Sequence, residues 1–244
     1  MSEYYHNNFT EGAKDGIPIA LGYLSVSFAI GISAVAMGFP VWAAVLISLL
    51  NVTSAGEVAG MPLIISGAPM VEMVLTQLVI NLRYALMSLS LTQKLDPSLN
   101  TPKRLGISYG VTDEIFALAY SKSGKVGSRY MAGLIAIPVF GWTLGTFLGA
   151  AASSLLPESF RSALGVAIYG MFLAIVLPPA KRQRAVRVVV CIAILFSCFF
   201  RFVLTRVSGG FAIILSAVAA SALGALFFPL KDPGEEGTEA NDHA

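Results

Sequence analysis

Long apolar stretches, separated by short polar linkers, run through the chain from about residue 17 to residue 229. A helix needs roughly twenty residues to cross about 30 Å of hydrocarbon, and seven stretches are long enough. They lie at 17–37, 41–66, 70–91, 130–152, 161–180, 186–204 and 208–229. The pattern predicts an all-α integral membrane protein with seven spanning helices.

An eighth segment, 106–120, is apolar at both ends and carries Asp113 and Glu114 at its centre. As a helix it would be only about 22 Å long, which predicts a short or re-entrant helix. The stretch 51–62 interrupts another apolar run with two glycines, Pro62 and several polar side chains. Proline disrupts a helix interior, so we predict discontinuous helices near 51–62 and 106–120.

The composition agrees with a membrane protein. Apolar residues make up 56% of the 244 residues and charged residues 12%, whereas a soluble domain has about 25% charged residues. An ordinary soluble enzyme, a disordered protein and a nucleic-acid-binding protein are therefore excluded. Along the chain we predict a polar N-terminal segment at 1–16, a transmembrane transport domain at 17–229 and a disordered acidic tail at 230–244.

The predicted membrane domain contains no histidine, because His6 and His243 both lie in the polar ends of the chain. Cys191 and Cys198 lie seven residues apart in one apolar run, too far apart along a helix for a disulfide. These observations exclude a Ser–His dyad, a His-ligated metal and a His proton relay. We expect neither a metal site nor a cofactor.

The distribution of lysine and arginine predicts the orientation in the membrane. If 106–120 does not cross, the basic clusters at 94–104, 122–129 and 181–187 share one side, with eleven basic residues against three. If it crosses, the division is nine against five. The first distribution is the more asymmetric, and it predicts an N-terminus outside and a C-terminus inside the cell.

Charged side chains within apolar runs are candidate functional residues, because a charge in the bilayer core costs a few kcal/mol. Arg83 lies too deep in its run to reach the headgroups easily, so we predict a carboxylate partner. Glu57 is the first choice, since it lies on the preceding run. Glu72 and Arg201 lie near the ends of their runs and are explained by snorkelling.

Each polar interruption also has a purely structural explanation. The stretch 51–62 would serve as a kinked packing helix with small residues, and Thr112 or Asp113 would serve as a helix cap. A Val-Thr pair, however, occurs in both segments, and paired interruptions in two halves of a chain are typical of transporter sites. The candidate substrate-binding or coupling residues are Asn51, Thr53, Ser54, Gly56, Glu57, Asn81, Arg83, Thr112, Asp113 and Glu114.

Six short motifs lie mainly in the first half of the chain. They are FTEGAKDGIP at 9–18, GY at 22–23, FAIG at 28–31, NVTSAGE at 51–57, NLRYAL at 81–86 and GVTDEIFA at 110–117. In this order they resemble the AzlC family, the large subunit of branched-chain amino acid exporters. The resemblance implies a multi-pass protein of the inner (plasma) membrane that exports apolar amino acids with a small AzlD-type membrane subunit.

One departure from the family is informative. The family commonly has glutamine where this chain has Glu57, so a titratable group is added, and we expect proton coupling or substrate preference to differ from the family. We expect the export to be coupled to protons. Our hypothesis is that helix-end amides near 53–56, or Arg83, hold the substrate carboxylate. Glu57, Asp113 or Glu114 then holds the ammonium or the exchanging proton. The alternatives are an accessory membrane subunit without its own pathway and, third, a membrane-embedded aspartyl-type enzyme.

Overall fold

The computed structural model describes residues 5–153, 155 and 157–229, and it divides into two units, one ending at Phe172 and the other beginning at Leu173. The structure is almost entirely helical. The helices are α1 (Phe9–Ala36), α2 (Val41–Leu50), α3 (Ser54–Ile65), α4 (Met70–Leu91), α5 (Thr101–Tyr109), α6 (Asp113–Ser121), α7 (Ser128–Ala152), α8 (Glu158–Arg182), α9 (Arg184–Phe202) and α10 (Gly209–Phe227). The two short strands are β1 (Tyr5–His6) and β2 (Lys125–Val126).

Five of the described helices are long and apolar enough to cross a membrane, namely α1, α4, α7, α9 and α10. This makes the chain a multi-pass, all-α membrane protein, and the predicted count of seven spans is not confirmed. The run 41–66 forms two short helices, and several side chains of the run 161–180 lie outside the described part of the structure. The predicted tail at 230–244 lies outside the described residues.

The pairing of the two strands shows where the described part of the chain begins relative to the helices. β1 pairs in parallel with β2, and Leu95 bridges to Val126, so α1 and α7 begin, and α4 ends, at one face that we call the strand face. Lys122 joins the same assembly, because it forms ion pairs with Asp15 (2.7 Å) and Glu11 (3.3 Å) of α1. The hydrogen bond from Lys122 to Asp15 raises the pKa of the lysine above its ordinary value.

The strand pairing overturns the predicted position of the N-terminus, which lies on the same side as the basic clusters at 94–104 and 122–129. The prediction counted 41–66 as a crossing and so placed three crossings between the N-terminus and residue 94. Only α1 and α4 cross there, which returns the chain to its starting side. The third basic cluster, 181–187, lies in the second unit.

α1 and α7 form a parallel pair held at backbone distance by glycines. A Cβ at Gly133 would lie 2.2 Å from the Phe9 carbonyl oxygen, and one at Gly149 would lie 1.9 Å from the Phe28 carbonyl oxygen. No side chain fits in such contacts, which are typical of small residues between membrane helices. The contacts follow the same order in both helices, so the helices are parallel and touch along most of their length. The shorter helices of this unit pack against this pair.

The run 41–66 is a re-entrant hairpin and not the predicted spanning helix. α2 and α3 are about 15 and 18 Å long, and the chain enters at the end of α1 and leaves at the start of α4, both opposite the strand face. α3 runs antiparallel to α4, since Gly56 packs against Asn81 and Gly60 against Met73. The break between the helices lies at 51–53, whereas Pro62, predicted to interrupt this run, lies inside α3.

α5 and α6 form a second re-entrant hairpin, which enters from the strand face. Each helix is nine residues long, about 13 Å, and the chain leaves and returns at the strand face near residues 95 and 125. The non-helical residues are 110–112. The predicted break in this segment is therefore confirmed, and the segment is longer than expected because it starts at Thr101.

In the second unit, α9 and α10 pack against each other as a hairpin. A Cβ at Gly224 would lie 2.5 Å from Val189 Cγ2, so the two helices are in close contact. Their bounds agree with the predicted runs 186–204 and 208–229 within a few residues.

Candidate functional site

The tips of the two hairpins meet inside the first unit. We call residues 51–53 the first tip and residues 110–112 the second tip. Tyr109, beside the second tip, donates a hydrogen bond from its hydroxyl to the backbone carbonyl of Leu49 beside the first tip. Because the hairpins enter from opposite faces, this contact lies at membrane depth.

Both tips share the same local construction. The Val-Thr pair of each segment ends at the N-cap of the second half-helix, Thr53 for α3 and Thr112 for α6. Thr53 accepts a hydrogen bond from the backbone N–H of Gly56 at 3.3 Å, whereas the side chain of Thr112 makes no capping bond. Each tip thus brings a positive helix N-terminus and the carbonyl end of another helix to the middle of the fold.

Glu57 is buried beside the first tip, and only 1% of its surface is exposed. Oε1 accepts a hydrogen bond from the Trp142 indole N–H at 2.8 Å, and Oε2 accepts one from the Ser48 hydroxyl at 2.8 Å. The Ser48 hydroxyl also contacts that of Thr146 at 2.6 Å. Both partners of this carboxyl group are neutral, and so is Thr146 behind Ser48.

Arg83 pairs with Asp113, and the predicted pair with Glu57 is wrong. The guanidinium donates to the Asp113 carboxylate and, at 3.0 Å, to the Tyr84 hydroxyl. The reason is helical periodicity. Asn81 faces α3, and a residue two positions further along α4 points about 200° away, towards α6. The two side chains are 50% and 46% exposed. This ion pair is therefore accessible, whereas the carboxyl group of Glu57 is buried.

Tyr23 connects the second tip with the environment of Glu57. Its hydroxyl lies 2.5 Å from Glu114 Oε2 and 2.7 Å from Thr112 Oγ1. A phenol carries one proton, which it donates to the carboxylate while it accepts from the threonine. The Tyr23 ring meets the Trp142 ring edge to face, with 5.5 Å between centroids. A continuous chain of contacts therefore runs from Glu57 through Trp142 and Tyr23 to Glu114.

The remaining candidates form a polar contact between α3 and α4. Gln77 donates to the Gly56 carbonyl oxygen at 2.8 Å, and Asn81 donates to Gln77 Oε1 at 3.0 Å. A Cβ at Gly56 would lie 2.6 Å from Thr53 Cγ2 and 2.7 Å from Gln77 Oε1, so any other residue there would have to displace these two side chains. Asn51 and Ser54, at the two ends of the first tip, are partly buried. The structure thus brings all ten predicted residues to the two tips or to the helices directly beside them.

Sequence reasoning missed six neutral polar residues that bond to the carboxylates or hold the two tips in place. They are Tyr23, Ser48, Gln77, Tyr109, Trp142 and Thr146. Only Tyr23 carried a signal, because it lies in a family motif, while serine and threonine are ordinary in apolar helices. Glu72 was also misjudged, since it is 2% exposed and does not snorkel.

The part of the chain that the structure describes contains no group of three or more His, Cys, Asp or Glu residues placed to hold a metal ion. Residues 18–156 match the AzlC family model, whose description is "AzlC protein". The matched range contains both tips, all of α4 and α7, and most of α1.

The chain is similar to three curated membrane proteins. It is 28% identical over 184 residues to the inner membrane protein YgaZ of Escherichia coli (72% of this chain, 75% of that protein). It is 31% identical over 178 residues to an uncharacterized membrane protein of Archaeoglobus fulgidus (72% and 78%). It is 28% identical over 156 residues to one from Helicobacter pylori (61% and 67%). No solved structure is significantly similar to the chain.

Proposed function

Because the chain belongs to the AzlC family, we propose that it is the large subunit of a proton-coupled exporter of branched-chain and similar apolar amino acids. It works with a small AzlD-type subunit in the inner membrane. The observation that carries the proposal is the meeting of two re-entrant tips from opposite faces. Discontinuous helices with such tips are the usual substrate and ion sites of secondary transporters.

The second tip has the chemistry to bind the charged groups of an amino acid. The substrate carboxylate and ammonium must both be satisfied at membrane depth, or their desolvation is not compensated. Arg83 and the N-terminus of α6 provide positive charge for the carboxylate. Asp113 and Glu114 provide negative charge for the ammonium, and the half-exposed ion pair leaves both charges accessible to a substrate.

The first tip has the chemistry to carry the coupled proton. Among the described residues Glu57 forms no ion pair, and an ionised carboxylate without a cation in a dry site is costly. The protonated form needs only hydrogen bonds: the Trp142 indole N–H donates to one carboxyl oxygen, and the Ser48 hydroxyl can accept from the protonated one while it donates to Thr146. Proton loss would therefore require an opening of the first tip, which is how a transporter links a proton to a conformational change.

Trp142 and Tyr23 are the proposed positioning residues between the proton site and the substrate site. An ionised Glu57 would bind the indole N–H more strongly than a protonated one. Any displacement of the Trp142 ring reaches Tyr23 by direct contact, and Tyr23 holds Thr112 and Glu114. This route couples the two tips without a charged chain through the membrane.

The expected substrate specificity is broad. The surroundings of the tips are apolar, and one methylene in such a pocket changes discrimination by only about 1–3 kcal/mol. Leucine, isoleucine, valine and methionine would therefore compete with one another. Amino acids with acidic side chains would be rejected, because Arg83 is the cationic side chain of this site and the substrate carboxylate already occupies it.

Leucine flux in proteoliposomes tests the proposal. Vesicles that contain this chain together with its small subunit should show leucine transport that a pH gradient accelerates, and excess valine should inhibit it. Vesicles with either subunit alone should show little flux. Flux by the small subunit alone would assign this chain an accessory role, and absence of amino acid flux with both subunits would refute the proposed substrate class.

A further inference from the structure

A groove at the strand face lies apart from both tips. It is a cavity of about 440 Å³ between the start of α1, the middle of α5 and the first two turns of α7. Lys103, Ser128 and Arg129 lie at one end of its lining, and Ile107 and Ile135 at the other. The transport proposal uses none of these residues.

The polar end of the groove has unbalanced positive charge. Lys103 lies in the first turn of α5 and Arg129 in the first turn of α7, so both are at the level where these helices enter the membrane. Both side chains are exposed, and within the described ranges neither forms an ion pair with a carboxylate. The adjacent Ser128 hydroxyl adds a hydrogen-bond donor.

The other end of the groove is apolar and lies deeper in the membrane. Ile135 is six residues beyond Arg129 along α7, about 9 Å further from the face. Ile107, Ala132 and Ile135 line this part. The half-exposed ring of Phe9 lies at the beginning of α1 on the same cavity.

We propose that this groove binds one anionic phospholipid, with the phosphate at Lys103 and Arg129 and an acyl chain along Ile107 and Ile135. The order of its two ends matches the polarity of a lipid, with the charged end at the membrane surface and the apolar end inside. Basic pockets between membrane helices are known to select anionic lipid headgroups. The lining contains two cations and no carboxylate, which favours an anionic over a zwitterionic headgroup.

Gly106 gives a way to close the groove without removing its charges. It lines the cavity, and a Cβ at this position would meet no atom within 4 Å. Gly106→Leu should therefore fold, since the new side chain occupies the cavity instead of clashing. Gly106→Ala is the matched control, because one methyl group leaves most of the volume free.

Binding is measured on the full chain in neutral detergent. Dioleoyl phosphatidylglycerol should raise the Tm saturably, and native mass spectrometry should retain one lipid per chain. Phosphatidylcholine tests the charge, and glycerol 1-phosphate tests whether the phosphate alone is enough. An equal effect of either compound would overturn the proposal of an anionic lipid site.

Variants locate the site. Lys103→Ala/Arg129→Ala should weaken phosphatidylglycerol binding about 30-fold, since each cation near the surface contributes about fivefold. Lys94→Ala/Lys125→Ala removes the same charge from the same face outside the groove. It should change binding less than about twofold, because these lysines do not touch the bound headgroup and their more distant attraction is screened by salt. Gly106→Leu should reduce binding strongly and Gly106→Ala little. Equal losses in the two double variants, or unchanged binding by Gly106→Leu, would refute the groove.

Discussion

The two re-entrant hairpins share a backbone design but place their carboxylates in opposite surroundings. Both consist of two short helices with a Val-Thr tip, and both rest on the parallel pair α1 and α7. Glu57 of the first hairpin is buried with neutral partners. Asp113 of the second hairpin is half exposed and paired with Arg83.

The difference shows how one structural device can serve two tasks. A buried, unpaired carboxyl group is costly to ionise, so it suits a proton that moves only when the protein opens. An accessible pair of opposite charges suits a zwitterion, which can replace each partner with one of its own groups. Four substitutions test this division of roles, and the largest effect is expected at the open pair.

Arg83→Leu should reduce both the amount of protein and its activity. It leaves Asp113 without a cation at membrane depth, where an isolated charge costs about 2.5–3.5 kcal/mol by insertion scales; the half-exposed position reduces this cost. Arg83→Leu/Asp113→Leu removes both charges and should restore membrane abundance but not export. Immunoblots and leucine efflux measure the two quantities, and equal abundance of the single and double variants would argue against a stabilising pair.

The Glu57→Gln variant should still fold and export leucine, but the pH dependence of its export should be lost. Glutamine has a similar size and can still bond to Trp142 and Ser48, while the titratable proton is lost. The comparison is Asp113→Asn, which should abolish export because it weakens the ion pair with Arg83. Initial efflux rates over a range of pH decide the matter, and an unchanged pH profile in Glu57→Gln would assign the proton to another group.

Trp142→Phe should have an intermediate effect. The ring is kept, but Glu57 loses one of its two hydrogen-bond donors, which costs about 1–3 kcal/mol when the acceptor stays buried. Trp42→Phe is the matched control, since Trp42 is 69% exposed and contacts neither tip. We expect the pH profile of leucine efflux to shift for Trp142→Phe and not for Trp42→Phe. Identical profiles of the two variants would refute the positioning role of Trp142.

Tyr23→Phe should have the smallest effect. It removes the hydroxyl that bonds to Glu114, but that carboxylate is exposed and water can replace the donor. We expect a loss of about 0.5–1.5 kcal/mol in substrate affinity, which is about twofold to twelvefold. Tyr120→Phe is the control, since it removes a hydroxyl from α6 away from the tip. Inhibition of leucine flux by valine measures the affinity, which should be unchanged in this variant. A larger loss at Tyr120 than at Tyr23 would contradict the proposed contact.

Much of this arrangement can be predicted from sequence, because polar residues in apolar runs identified both breaks and all ten candidates at the tips. The paths of the chain could not be predicted in the same way. A run of 26 residues at 41–66 is long enough to span, and only the tertiary contacts of α3 with α4 show that it turns back. Sequence neighbourhood suggested Glu57 for Arg83, whereas the angular position around α4 determines the true partner.

Cysteine accessibility tests the central claim, that the two hairpins enter from opposite faces. In a chain with Cys191 and Cys198 replaced by serine, single cysteines are placed at Pro40 and Ser66 for the first hairpin and at Ser98 and Ser123 for the second. A membrane-impermeant maleimide applied to one side of oriented vesicles should label both members of one pair and neither of the other. Labelling of Pro40→Cys and Ser66→Cys from opposite sides would show that 41–66 crosses the membrane and would contradict the account.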